Sequence, residues 1–324
     1  MRGTTAPPRP QHAYAEGAVH DAAIAIPSST LGGAALLRLA DYIELTKPRI
    51  ATMVLVTVAV GYTLGCEGNW QLEALLPTLL GVAVVAAGSS ALNQYLEQLS
   101  DATMRRTADR PLPSGRLSSA EVLVFGLLCG AAGTLWLAVT VNGLTAALTL
   151  GTLLMYVVLY TPLKRHTSLC TAVGAVPGAL PPVLGWAAAR ATLDAGAFAL
   201  FAILFLWQFP HFLAIAWLYR DQYEAAGLKM LPRKRTAGVI GLMAMTYATA
   251  LIPVSLLPRS AALAGDLYAA VAVILGLVYL AGAVRFAKRG TRASARALLF
   301  VSLVYLPGLL IVMMFDHVRL LLWM

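Results

Sequence analysis

Charge is scarce in this sequence. Asp, Glu, Lys and Arg make up 12% of its 324 residues, about half the share of a soluble domain, which excludes a chain built from ordinary water-soluble modules. Cysteine is scarcer still, with Cys66, Cys129 and Cys170 the three present. An odd number at spacings that fit no metal motif excludes a disulfide framework and leaves small apolar packing residues. Acids are outnumbered: 15 Asp and Glu stand against 24 Lys and Arg, a formal charge of +9. No secretory signal pattern opens the chain, and Glu16 and Asp21 argue against a mitochondrial transit segment.

What is abundant is apolar. Hydrophobic residues reach 59% and the mean hydropathy is +0.74. Runs near or above the ~20 residues that span a bilayer recur along the chain. The expected fold is all-α: a polytopic membrane protein of nine transmembrane helices around a central cavity that opens to the cytoplasm. Residues 1–35, rich in Pro, Ala, Ser and Thr, are expected to form a disordered tail, and residues 36–324 one membrane-embedded domain. Spans are expected at roughly 50–65, 75–96, 120–139, 144–160, 169–189, 197–218, 237–257, 267–284 and 297–315, the second continuing as helix through Asp101. The fifth holds Gly174, Pro177, Gly178, Pro181, Pro182 and Gly185. It is expected to be bent and closely packed.

Nine spans put the termini on opposite sides. The amino-terminal segment and the loops after spans two, four, six and eight hold 21 of the 24 Lys and Arg; Arg190, Arg259 and Arg319 fall on the other face. That asymmetry places the amino terminus and the motif-bearing loops in the cytoplasm, in a cell (inner) membrane. It also accounts for the net charge, so no nucleic-acid partner is expected.

The stretch from Asn93 to Arg116 carries the chemistry. Asn93, Glu97 and Asp101 are spaced four apart, and each step of four turns a helix position by only ~40°. The three side chains therefore share one face at a membrane edge, an oxygen-donor set suited to a hard cation such as Mg²⁺. Arg105, Arg106 and Arg110 follow. Carboxylates that seat a metal, with guanidinium forks beside them, suit a metal-bound diphosphate. The plainer reading is a helix end with solvated charges. Asp221 and Glu224, three apart in the loop after span six, also share a face and lie on the same side. They form a second candidate metal group, or an ordinary charged loop. Lys47, Lys164 and Arg165 sit at cytoplasmic span ends, where snorkelling topology residues also sit.

Histidine 211 lies inside span six, about eight residues and hence ~12 Å from its cytoplasmic end. A polar side chain there is costly without a partner. It is either a buried histidine with one satisfied hydrogen bond or a ligand; His166 and His317 lie nearer span ends.

Asn-x-x-x-Glu-x-x-x-Asp-x-x-Met-x-Arg-Thr-x-x-Arg-Pro-x-Pro, from Asn93 to Pro113, resembles the first signature of the protoheme IX farnesyltransferase (heme O synthase) family. That family is a branch of the UbiA intramembrane prenyltransferase superfamily. Leu45-Thr46-Lys47-Pro48-Arg49 is similar to its opening. Tyr160-Thr161-Pro162-Leu163-Lys164-Arg165 and Gly178-Ala179-Leu180-Pro181-Pro182 are similar to its middle. Gln208-Phe209-Pro210-His211-Phe212 and Tyr223-x-x-Ala226-Gly227 with Met230-Leu231-Pro232 are similar to its second half. The resemblance covers about residues 41–315. It departs at Gln222, where members often carry a second acid.

The resemblance implies a Mg²⁺-dependent enzyme that transfers the farnesyl group of farnesyl diphosphate to a vinyl group of heme b, giving heme O and diphosphate. It implies metal and catalytic roles for Asn93, Glu97, Asp101 and Asp221, with Glu224 beside them. It implies diphosphate contacts from Lys47, Arg105, Arg106, Arg110, Lys164 and Arg165, and makes His211 the heme candidate. The partners it implies are the two substrates, the bilayer, and a downstream heme-modifying enzyme or oxidase assembly. A prenyltransferase acting on a quinone precursor would share the acidic clusters without explaining the Pro210-His211-Phe212 segment. A transporter would share the bent fifth span, but needs polar groups spread through the bilayer rather than gathered at one face.

Overall fold

In lipid a backbone amide finds no water, so an apolar span satisfies its own N–H and C=O groups by coiling. The computed structural model describes residues 31–66, 68–69, 71–232 and 236–323, and among them no residue is in a strand. Nine helices among the described residues are long and apolar enough to cross a membrane. The tail expected at 1–35 lies, through residue 30, outside the described residues; α1 begins at Leu31 and runs to Leu45.

The first three spans are α2 (Pro48–Gly65), α3 (Leu72–Thr103) and α4 (Ser119–Thr140). The fourth is composite. α5 (Gly143–Leu154) widens into a π-helical stretch, Met155–Tyr160, and ends in the single turn α6 (Thr161–Leu163). The fifth is broken into α7 (Cys170–Ala179) and α8 (Pro181–Arg190). α9 (Ala195–Leu218) is the sixth, followed by the short α10 (Arg220–Ala225). α11 (Ala237–Val254) with α12 (Leu257–Ser260), α13 (Asp266–Arg289) and α14 (Arg292–Trp323) complete the set. The last two helices run past the spans expected at 267–284 and 297–315. Hydropathy stops at Arg285 and Asp316, whereas the hydrogen-bond ladder does not.

Two proline effects shape the scaffold. Pro181 and Pro182 have no N–H to give to the turn before them, so the fifth span breaks at Leu180, where its composition had led us to expect a bend. Pro162 likewise cannot continue an α-ladder. Upstream of it the chain takes the wider π-turn, with the Thr161 N–H donating to the Tyr156 carbonyl five residues back.

Residues 40–324 form one compact unit. Its largest core gathers Trp186, Leu200, Ile203, Tyr268, Tyr279, Phe286 and Tyr305 from α8, α9, α13 and α14. A smaller cluster of Leu45, Ala91, Leu112, Leu117 and Val122 fastens the end of α1 and the α3–α4 loop onto α3. In lipid there is no hydrophobic drive between helices, so contact depends on close approach of small residues. The α2–α8 pair shows this most sharply. A methyl on Gly61 would sit 1.8 Å from the Pro182 carbonyl oxygen, and one on Gly185 would sit 1.9 Å from that of Val58.

Gly61→Ala is therefore expected to force α2 and α8 apart, at a cost of about 1–3 kcal/mol or more. Gly151, with nothing within 4 Å of an added methyl, is the control. Thermal unfolding in detergent should show a clear fall in Tm for Gly61→Ala and none for Gly151→Ala.

Candidate active site

The regular 3.6-residue repeat of α3 brings Asn93, Glu97 and Asp101 to one face, and all three are buried, at 2%, 8% and 1% exposure. Buried carboxylates require partners. Lys164 Nζ lies 2.8 Å from Glu97 Oε1. Arg110 Nη1 lies 2.5 Å from Asp101 Oδ2. Lys47 Nζ donates to Asn93 Oδ1 at 3.0 Å. The amide nitrogen of Asn93 donates to Glu97 Oε2 at 3.0 Å and to Thr161 Oγ1 at 3.1 Å. The Thr161 hydroxyl in turn donates to the Tyr156 carbonyl at 2.8 Å. The amide is thus fixed with its oxygen facing Lys47.

Each cation is delivered by a special piece of backbone. Lys47 stands at φ +53°, in the left-handed region that non-glycine residues rarely adopt. That turn separates α1 from α2, and Gln94 Nε2 holds it by donating to the Leu45 carbonyl at 2.8 Å. Arg110 arrives on the α3–α4 loop, which Thr107 ties to the Asp101 carbonyl at 2.8 Å. Lys164 follows α6 directly, so the π-stretch sets its register. Its ammonium also lies 4.4 Å from the centre of the Tyr160 ring.

Two carboxylates face three cations here, and the excess is felt. Burial, then Arg110 and Lys164 nearby, lower the Lys47 pKa to about 7. Burial works against the Lys164 ammonium too, but Tyr160 and Glu97 outweigh it and raise its pKa. An excess of cations of this kind suits an anion. Its oxygen donors also fit Mg²⁺: an amide oxygen and two carboxylates on one helical face, with no sulfur or nitrogen donor among them. Among the described residues no three of His, Cys, Asp and Glu gather at one point.

The other sequence-predicted residues are placed less centrally. Arg106 stacks over the Tyr219 ring at 5.1 Å, which links the α3–α4 loop to the end of α9. The α9–α11 loop closes on the site through the Lys229 N–H, which donates to the Lys164 carbonyl at 2.7 Å. Arg105 and Arg165 are exposed. Asp221 and Glu224 on α10 are exposed as well, with Asp221 paired to Arg292 at 3.2 Å and to Arg220 at 3.5 Å. His211 is half-buried on α9. Its Nδ1 lies 2.8 Å from Ser302 Oγ on α14, and its ring stacks on Trp207 with centroids 5.0 Å apart. His317 sits near the far end of α14 with Nδ1 on the Leu263 carbonyl at 2.8 Å. His166 is exposed.

Sequence reasoning missed Thr161, Tyr156 and Ser302. Thr161-Pro162 was the available signal: a hydroxyl next to a residue that disrupts the helix ladder, three residues before a lysine. A cavity of about 500 Å³ lies elsewhere, at the carboxyl-terminal ends of α2 and α8, lined by Tyr62, Cys66, Gln71, Arg190 and Thr192. It contains none of the candidate residues.

The nine-span bundle is that of intramembrane prenyltransferases. A structure of digeranylgeranylglyceryl phosphate synthase superposes with a TM-score of 0.75 at 15% identity, covering 87% of this chain and 99% of that one. A UbiA homolog from Archaeoglobus fulgidus bound to GPP and Mg²⁺ gives 0.62 at 18% identity, covering 84% and 99%. Both likenesses are of fold. Residues 54–304 match the UbiA prenyltransferase family, and the chain belongs to it. The chain is 45% identical over 291 residues to the protoheme IX farnesyltransferase of Solibacter usitatus, covering 86% of this chain and 98% of that one. It is 47% identical over 279 residues to that of Myxococcus xanthus, covering 86% and 95%.

Lys164→Met should leave Glu97 buried and uncompensated, at a cost of about 3–5 kcal/mol. Adding Glu97→Gln should recover most of that stability without restoring activity. A double-mutant cycle on thermal unfolding tests this, and additive losses would show that the pair is not coupled.

Proposed function

We propose that this enzyme transfers the farnesyl group of farnesyl diphosphate to a vinyl carbon of heme b, giving heme O and diphosphate. The observation that carries the reading is the set of three cations, Lys47, Lys164 and Arg110, held on the oxygens of Asn93, Glu97 and Asp101. Those oxygens are the donors for Mg²⁺, which when bound would offset the charge of the departing diphosphate. With those oxygens holding the metal, the ammonium and guanidinium groups would be free to hold diphosphate oxygens. Arg110, with its planar fork, binds two of them at once. Arg106, Arg105 and Arg165 supply the outer positive rim.

Asp221 and Glu224 form the second acidic group in this reading. The Arg292 pair that holds Asp221 is exposed, worth about 0–1 kcal/mol, so exchange to a bound metal costs little. The allylic C–O bond breaks with its electron pair going to diphosphate. The vinyl π pair makes the new C–C bond, and water adds at the carbon beside the porphyrin and releases a proton. Apolar helix walls shelter the farnesyl chain and the porphyrin in a cavity open to the cytoplasm, between the α3 and α9 ends. His211 offers the iron a ligand from inside α9. The amino terminus and the site face the cytoplasm of the cell membrane, in keeping with the Lys and Arg asymmetry. The product leaves for a heme-modifying enzyme or an oxidase assembly.

Membranes incubated with heme b, farnesyl diphosphate and Mg²⁺, followed by pigment extraction, test the reading. Heme O should accumulate with the wild type and fall by at least 100-fold with Asp101→Ala, while both proteins remain folded. A prenylated quinone precursor in place of heme O would overturn the substrate assignment. Arg106→Lys should raise the KM for farnesyl diphosphate several-fold and leave that for heme unchanged, as steady-state kinetics with each substrate varied will read.

A further inference from the structure

We infer that Ser302 is a positioning residue for His211: it holds the imidazole in the Nδ1–H form and leaves Nε2 as the bare nitrogen offered to the porphyrin iron. The inference rests on the reading of His211 as the heme ligand and deepens it.

The argument starts from proton counting. Ser302 Oγ lies 2.6 Å from the Leu299 carbonyl oxygen. Two oxygens that close repel unless a proton lies between them. A serine hydroxyl has one proton, and here it goes to Leu299. Toward His211, at 2.8 Å, Ser302 therefore presents a lone pair, and Nδ1 must be the donor. An imidazole within an apolar span, with a neutral hydroxyl as its partner, is held neutral. The single ring proton is then on Nδ1, and Nε2 carries none.

The same residue fixes the ring plane. His211 stacks on Trp207 with an interplanar angle of 26°. The Trp207 indole N–H donates to the Ser302 backbone carbonyl at 2.8 Å. Tyr279 closes the set by donating its hydroxyl to the Trp207 carbonyl at 3.0 Å. Ser302 thus holds His211 directly through its side chain, and through Trp207 by its main chain. Nε2 has no hydrogen-bond partner among the described residues, and His211 is half-buried rather than sealed. A packing histidine needs neither a bare second nitrogen nor a partly open ring. A metal-ligating histidine requires both, with its other ring N–H held by an acceptor.

The test uses the full chain, labelled with ¹⁵N-histidine, in detergent without heme. The His211 signals, identified by their loss in His211→Ala, should show a protonated Nδ1 and a bare Nε2. Ser302→Ala should mix or invert that pattern, and Ser302→Thr, which keeps the hydroxyl, should preserve it. A wild-type protein with the proton on Nε2 overturns the inference without any variant. Heme b titration then separates the two readings. Ser302→Ala should weaken binding about ten-fold or more and shift the Soret band, with Ser302→Thr close to wild type. If His211→Ala leaves the Soret band and heme affinity unchanged, the heme assignment falls, and the iron half of the inference with it. If His211→Ala loses heme binding while Ser302→Ala retains both tautomer and affinity, the Ser302 role alone is refuted.

Discussion

Two carboxylates buried at the end of a membrane helix cannot stand alone, and much of the structure answers that constraint. Glu97 and Asp101 would be prohibitively costly in a medium with little water to solvate them. Lys164 and Arg110 meet them, and Lys47 meets the amide of Asn93. Placing each cation demands irregular backbone: a left-handed residue before α2, a loop folded back on α3, and a π-stretch in the fourth span. The left-handed residue alone costs of order 1–3 kcal/mol and persists where its surroundings over-determine it. Here the surroundings include the Gln94 bond to Leu45, the Thr107 bond to Asp101 and the small apolar cluster around Leu112 and Leu117.

The same arrangement suits a charged reacting group on an apolar substrate. In the structure the cations neutralise the carboxylates. In the function proposed here, a divalent ion and a diphosphate would give each partner a stronger one: the carboxylates the metal, the ammonium and guanidinium groups the phosphate oxygens. The site is thus its own counter-ion system. The scaffold around it is held by close contact of small residues, as at Gly61 and Gly185, so the helix ends are fixed on both sides of the exchange.

Much of this was legible in the sequence. Apolar run length located all nine spans, and a bend in the fifth followed from composition, though not its sharpening into a break before Pro181-Pro182. The four-residue spacing of Asn93, Glu97 and Asp101 put them on one face because helix geometry leaves no alternative. Arg110 was among the expected cations, although its pairing with Asp101 depends on a loop conformation that no short-range rule specifies. The π-stretch was not legible, since Met155–Tyr160 reads as ordinary helix until Pro162 and Thr161 are considered together. The left-handed turn at Lys47 was hidden too, because it is imposed by the tertiary bond from Gln94 rather than by a local glycine. Asp221 was read with Glu224 as a second acidic helix face; on α10 it also pairs with Arg292 at the start of α14, a contact with no trace in local sequence.

The central claim is the exchange of partners at α3. A structure of the enzyme with Mg²⁺ and a non-hydrolysable farnesyl diphosphate analogue tests it directly. Glu97 and Asp101 should lie on the metal, with Lys164 Nζ and the Arg110 guanidinium moved from their present 2.8 and 2.5 Å contacts onto diphosphate oxygens. A diphosphate bound with both of those ion pairs intact, or with the metal seated away from α3, would contradict the account.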